Sequence, residues 1–149
     1  MNYDAVKSPF SEVAHIGVVV KDLEKAVKRL ESLGIGPFEP LSLPPFSGKL
    51  MFRGKPLDPE VKEMIANLGS VSLVLFEPGK GESPWREFLD SKGEGVHHVA
   101  FTVDDLDKET SELTKRGMKS LGGTKWQGGG GGFYFDPEIG GVLFELFKP

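Results

Sequence analysis

Two histidines and one glutamate stand where this chain could do chemistry, and their spacing singles them out. His15 opens the run His15-Ile-Gly-Val-Val-Val-Lys-Asp-Leu-Glu-Lys, and 83 residues later His98 opens His98-Val-Ala-Phe-Thr-Val-Asp-Asp-Leu-Asp-Lys. The match runs on through Leu30/Leu113 and Gly34/Gly117, so the chain is an internal repeat. A second correspondence closes each copy: Leu73 to Pro78 matches Phe144 to Pro149 at an offset of 71. At that offset Val74 answers Glu145. A pseudo-twofold between the copies would gather His15, Val74, His98 and Glu145 around one axis. Two imidazoles and a carboxylate are ligands that a first-row divalent cation prefers at neutral pH. Such a cation acts as a Lewis acid on a carbonyl oxygen, so that the neighbouring C–H can lose its proton to give a metal-stabilised enolate. Glu145 stands among Leu143, Phe144, Leu146 and Phe147. Burying a carboxylate there alone is costly, and a cation offsets that cost.

The elements that must position these groups follow from the same repeat. Each copy opens with an apolar, β-branched or aromatic run that reads as a buried strand. Asp22 and Asp105 are N-cap candidates. Leu23, Ala26, Val27 and Leu30 form a helical stripe, as do Leu106 and Leu113, and Gly34 and Gly117 are the helix stops. Strands are expected over 36–43, 48–53 and 71–77, then over 118–126, 132–135 and 141–147. Residues 58–68 carry helical spacing at Val61, Met64, Ile65 and Leu68, yet the repeat asks for a strand there, and a strand or strand-like arm is favoured. The first copy is longer by about a dozen residues, placed within 40–68. Ser83-Pro84 caps a short linker helix. The fold class is α+β, with two βαβββ repeats forming a shared metal-containing cleft. A single domain spans 12–149 (repeat 1 about 12–80, linker helix about 83–92, repeat 2 about 95–149), preceded by an N-terminal arm, 1–11.

Composition narrows the function classes. The chain has 149 residues, 18 basic against 22 acidic, a net charge of −4 and no Cys. That charge argues against a nucleic-acid binder with a basic face. Without Cys there is no disulfide scaffold, thiolate metal site or cysteine catalysis, and a reducing, cytoplasmic compartment is expected. The aliphatic run at 16–20 is too short to span a membrane, and the N-terminus lacks a signal pattern. Alternation turns His97 away from His98, so His97 reads as a structural residue or a neighbour supporting the ligands. Lys49, Arg53 and Lys55 share a face if 48–55 is extended. They could then meet a carboxylate or a coenzyme A phosphate, though a solvated face is the plainer reading. The run Gly128 to Gly132 precedes Phe133-Tyr-Phe rather than a helix, so it is a turn or flap and not a phosphate-cradling loop. Trp126, Phe133, Tyr134 and Phe135 read as core or pocket wall.

The segments His15-Ile-Gly-Val-Val-Val-x-Asp-Leu, Glu94-Gly-Val-His-His-Val-Ala-Phe-Thr-Val and Gly141-Val-Leu-Phe-Glu-Leu resemble the vicinal oxygen chelate (glyoxalase/bleomycin-resistance/dioxygenase) superfamily. The nearest likeness is to the methylmalonyl-coenzyme A epimerase-like branch, through Glu82-Ser-Pro-Trp-Arg-Glu-Phe-Leu and the second histidine strand. The resemblance implies a divalent metal ion (cobalt, zinc, manganese, nickel, magnesium or iron) held by His15, His98 and Glu145. It also implies a homodimer without membrane or nucleic-acid partners, acting on a small carbonyl or carboxylate substrate, a coenzyme A thioester among the candidates. The implied activity is that of an isomerase or lyase acting next to a carbonyl, epimerase-like or lactoylglutathione lyase-like, with Glu145 as a catalytic base. The fourth ligand position, Glu or Gln in the family, is Val74 here, so the base for the second face is unassigned, and Glu60 and Glu63 lie in the ambiguous segment. Two alternatives stay open. One is a non-haem iron extradiol-type dioxygenase, whose facial triad needs no fourth ligand. The other is a metal-free small-molecule binding protein.

Overall fold

The computed structural model describes residues 8–149. Residues 1–7 of the expected N-terminal arm lie outside that range; beyond them, Phe10 packs edge-on against Phe101, ring centroids 5.0 Å apart. The first copy contributes β1 (Val13–Val19), α1 (Leu23–Ser32), β2 (Glu39–Pro40), β3 (Leu50–Phe52), β4 (Lys55–Leu57), β5 (Val61–Leu68) and β6 (Val71–Pro78). A linker helix, α2 (Pro84–Lys92), leads to β7 (Gly95–Thr102), α3 (Leu106–Lys115), β8 (Lys119–Lys125), β9 (Gly131–Asp136) and β10 (Leu143–Lys148).

All ten strands join one mixed sheet, ordered β2-β5-β6-β1-β7-β10-β9-β8-β3-β4 and curled into a half-barrel. The repeat is visible in the pairing. β1 pairs parallel with β6, then β6–β5 and β5–β2 are antiparallel. β7 pairs parallel with β10, then β10–β9 and β9–β8 are antiparallel. The two histidine strands meet antiparallel at the centre, where Gly17 stands opposite His98. The βαβββ reading therefore holds in both halves. Residues 58–68 are a strand, as the repeat required. The extra residues of the first half include a hairpin, β3–β4, which crosses to extend the second half through β8.

Local chemistry starts and stops the helices where the sequence places them. Asp22 accepts from the Lys25 amide at 3.0 Å, Asp105 from the Lys108 amide at 3.1 Å and Ser83 from the Arg86 amide at 2.9 Å. Each such bond satisfies one of the orphan donors of a first helical turn. Gly34 and Gly117 follow their helices in left-handed backbone, φ 87° and 86°. Alternation along the strands then sorts side chains between two faces. Leu73 and Leu75 pack outward with the α1 stripe, while Phe101, Phe135 and Leu146 pack against α3. Val74, Phe76 and Tyr134 point inward with Trp85 of α2, whose indole stacks on Phe76 at 5.5 Å and 9°.

The centre of the sheet is packed around His98, which is 0% exposed. A Cβ at Gly17 would overlap the His98 ring, with Nδ1 and Nε2 both 2.6 Å away. Gly17→Ala is expected to cost about 1–3 kcal/mol of stability through overpacking. Gly48→Ala, where a Cβ meets nothing within 4 Å, should stay within about 0.5 kcal/mol of the parent. Urea unfolding of the two variants checks both.

Candidate metal centre

The inward face at the middle of the half-barrel carries the three expected ligands. His15 on β1 and His98 on β7 present their Nε2 atoms to each other at 3.2 Å. Glu145 on β10 brings Oε1 to 3.1 Å from His15 Nε2 and 3.6 Å from His98 Nε2. Parallel pairing of β10 with β7 sets Leu143 beside His98 and Glu145 beside Ala100, and the carboxylate reaches the imidazoles from there. Gly132 on the neighbouring β9 makes room for it, since a Cβ at 132 would stand 2.5 Å from Glu145 Oε2.

These donor groups fit a divalent cation. One ligand atom from each residue falls within 4.8 Å of the others. Two ligands at about 2.1 Å from one ion are about 3.0–3.4 Å apart, from a right angle to a tetrahedral one, and the spacings here, 3.1, 3.2 and 3.6 Å, overlap that range. Glu145 is only 8% exposed, and among the described residues its Oε1 accepts no hydrogen bond, although His15 Nε2 lies 3.1 Å away. A buried carboxylate oxygen in that condition is costly unless something positive meets it. His98 is held well below the usual imidazole range, first by burial and then by His97 and His15. It is therefore neutral, with a lone pair to offer.

His97 departs from the sequence reading. Across the β1–β7 pairing, Gly17 opposes His98 and Val18 opposes Val96, so His97 is the extra residue of a bulge. A bulge breaks alternation and re-aims a side chain. The His97 ring packs on Phe88 of α2, and its Nδ1 still reaches His98 Nδ1 at 2.9 Å. Burial, helped by Lys92, lowers the His97 pKa to about 4 and keeps it neutral. If His98 Nε2 faces a cation, its Nδ1 carries the proton and donates it to His97 Nδ1, which fixes the ring's tautomer and angle.

Glu63 on β5, one of two candidates that the sequence leaves unassigned, lines the same cavity as His15, Val74 and Glu145. Burial first, then the Glu145 charge, raise its pKa from 4.5 to about 7, against a lowering pull from His15. The signal that could have found it is the period-two set Val61, Glu63, Ile65, which only a strand reading turns inward. Glu60, the other candidate, precedes the strand and accepts the Gly79 amide through its backbone carbonyl. Tyr134, whose pKa is pushed well above 10 by burial and by Glu145, remains a neutral phenol in the wall. Lys49, Arg53 and Lys55 are all exposed, in keeping with the plainer solvated reading, and the conditional shared face does not form because 48–55 is folded into a hairpin with Arg53 in its turn at φ 53°. Arg53 pairs with Glu87 at 3.4 Å, and Lys55 with Glu82 at 2.6 Å.

The glyoxalase/bleomycin resistance protein/dioxygenase superfamily pattern matches residues 14–135. The chain belongs to that superfamily. Among curated members it is 31% identical to the mitochondrial methylmalonyl-CoA epimerase of Mus musculus over 137 residues, 89% of this chain and 70% of the relative. It is 37% identical over 84 residues to the uncharacterized protein YqjC of Bacillus subtilis, which covers 54% of this chain and 60% of that relative. Among solved superfamily structures, a Streptomyces coelicolor methylmalonyl-CoA epimerase variant in complex with 2-nitronate-propionyl-CoA superposes with TM-score 0.70 at 25% identity, covering 93% and 97% of the two chains. The Mycobacterium tuberculosis methylmalonyl-CoA epimerase shares the fold, with TM-score 0.69 at 22% identity over 97% and 91%. Superfamily members typically bind a divalent metal, and the His-His-Glu group here could hold one.

The contact between the two rings revises what is expected of His97. His98→Ala should abolish stoichiometric metal uptake, whereas His97→Ala should weaken affinity about 10–100-fold through the lost ring contact. Metal content after dialysis at graded free zinc measures both.

Proposed function

We propose that this chain is a divalent-metal-dependent isomerase that moves a proton at the carbon next to a carbonyl, in the manner of methylmalonyl-CoA epimerase. The observation that carries the reading is the pairing of two features in one cavity: the His15, His98, Glu145 donor set and a second inward carboxyl, Glu63. The 31% identical epimerase relative and the epimerase structures complexed with coenzyme A thioesters support it.

In this reading His15, His98 and Glu145 hold the ion. When bound, it supplies Lewis acidity that makes the C–H beside a carbonyl easier to deprotonate. Inverting a stereocentre needs a proton taken on one face and returned on the other. Glu145 serves one face, and Glu63 supplies the base that position 74 cannot. A carboxyl with a pKa near 7 is well matched to give and take protons at neutral pH. Val74 leaves the ion a protein ligand short of the family pattern, which leaves more room for substrate oxygens. Trp85, Phe76 and Tyr134 wall the cavity and keep water off the carbanionic carbon.

Glu63 also favours isomerisation over the extradiol reading. That chemistry calls for a further histidine as proton shuttle, and His97 is engaged with His98. The buried Glu145 Oε1, which accepts no hydrogen bond among the described residues and faces two imidazole nitrogens, speaks against a metal-free binding module. A homodimer belongs to the proposal on family resemblance alone, and a cytoplasmic setting on composition alone; the mouse relative is a mitochondrial protein by name. Among the described residues, no helix is long and apolar enough to cross a membrane.

The test is deuterium wash-in at the α-carbon of each enantiomer of methylmalonyl-coenzyme A by cobalt-loaded protein. Parent protein should exchange both enantiomers. Glu63→Gln and Glu145→Gln should each slow inversion about 10²–10⁴-fold, with Glu63→Gln sparing exchange of one enantiomer. No exchange by the metal-loaded parent, or unchanged exchange in both variants, would contradict the reading.

A further inference from the structure

The walls of the cavity say more about its ligand than the metal donors do. The cavity that His15 and Glu145 help to line is about 170 Å³. An apolar cavity of roughly 150 Å³ is enough to take up a benzene ring. The inner wall is Ile65, Val74, Phe76, Trp85 and Tyr134, and Val74 is 1% exposed. The outer wall is built largely by the extra residues of the first half: Leu41, Leu43 and Phe46 lie along the mouth, and Phe46 stacks on Trp126 with centroids 6.5 Å apart. Trp126 is itself anchored, its indole N–H donating to the Lys148 carbonyl at 3.1 Å. Among the described residues no Lys or Arg lines the space, and its two carboxyls, Glu63 and Glu145, repel a second anionic group placed away from the ion.

With the chelating head at the donors, a methyl group would leave the apolar wall of Val74, Phe76, Trp85 and Tyr134 largely uncovered, and its atoms would forgo their dispersion contacts. Replacing a polar fourth ligand by Val74 extends the apolar wall right up to the donor set. Resting on the isomerase reading above, we propose that the substrate carries a bulky apolar α-substituent, of branched-alkyl to phenyl size. The metal-ligating head then sits at His15, His98 and Glu145, and the substituent seats against Val74, Phe76, Trp85 and Tyr134. Phe46 of the first-half insertion and Trp126 of the second half wall it on the outside.

Both tryptophans of the chain, Trp85 and Trp126, line this cavity, so intrinsic fluorescence reports its filling directly. The experiment titrates zinc-loaded protein with benzylmalonate and with methylmalonate, which share a chelating head and differ only at the α-substituent. Benzylmalonate is expected to bind at least tenfold more tightly, with a change in tryptophan emission. In a folded Val74→Gln protein, checked by circular dichroism, the ratio of the two affinities should shrink severalfold. Equal affinities, tighter methylmalonate binding, or binding of neither would overturn the inference. Stoichiometric zinc uptake and α-proton exchange would still leave the isomerase reading standing. Failure of zinc to bind would instead remove that reading, and the same affinity ratio measured on chelated protein would then decide the cavity's preference by itself.

Discussion

Everything at the centre of this fold answers to one buried carboxylate. Glu145 stands 8% exposed between two imidazoles, on a strand whose other residues are mostly apolar, with Oε1 accepting no hydrogen bond among the described residues. An isolated charge in such a place costs several kcal/mol even after relaxation. His98 does not cure this as a cation, because burial holds it neutral. A divalent ion between the three donors would remove the difficulty for all of them. It would meet the Glu145 oxygen, use the lone pairs of the imidazoles and separate Nε2 atoms that otherwise face each other at 3.2 Å. Under the proposed function the same positive charge would draw in the oxygens of a carbonyl substrate, so that what makes the core tolerable would also make it reactive.

The backbone is arranged to permit that convergence. Two repeats meet antiparallel along β1 and β7, which brings the strand-opening histidines of both copies to one spot. Such close approach leaves no space for side chains at Gly17 beside His98 or at Gly132 beside Glu145. The bulge at His97 is the third device. It spends one extra residue of β7 to lay a second imidazole against the first, so that the ligand ring is held from behind. The outer helices take little part in the site and serve chiefly to cover the far face of the sheet.

Much of this was legible in the sequence, because a repeat is a long-range statement about structure. The match of His15 to His98, and of Val74 to Glu145, located one inward-facing set without any knowledge of contacts. The aspartate caps and glycine stops placed both outer helices for local reasons that packing did not override. The losses came where local pattern and tertiary demand differ. Val61, Met64, Ile65 and Leu68 carry helical spacing because β5 is apolar on both faces: Ile65 packs inward, while Met64 meets the α1 side. That ambiguity left Glu63 unassigned. Strict alternation misplaced His97, since a bulge leaves no signature in a single sequence. The conditional basic face over 48–55 does not form because a hairpin turn at Arg53 divides it, and its charges pair with Glu82 and Glu87 of the linker region.

The central claim is that His15, His98 and Glu145 together hold one divalent ion, and anomalous diffraction from zinc-loaded crystals at the metal edge tests it most directly. The account predicts one strong peak within about 2.0–2.2 Å of both Nε2 atoms and a Glu145 carboxylate oxygen. A fully zinc-loaded, correctly folded protein with no peak between these three residues, or with its zinc held by other side chains, would contradict it.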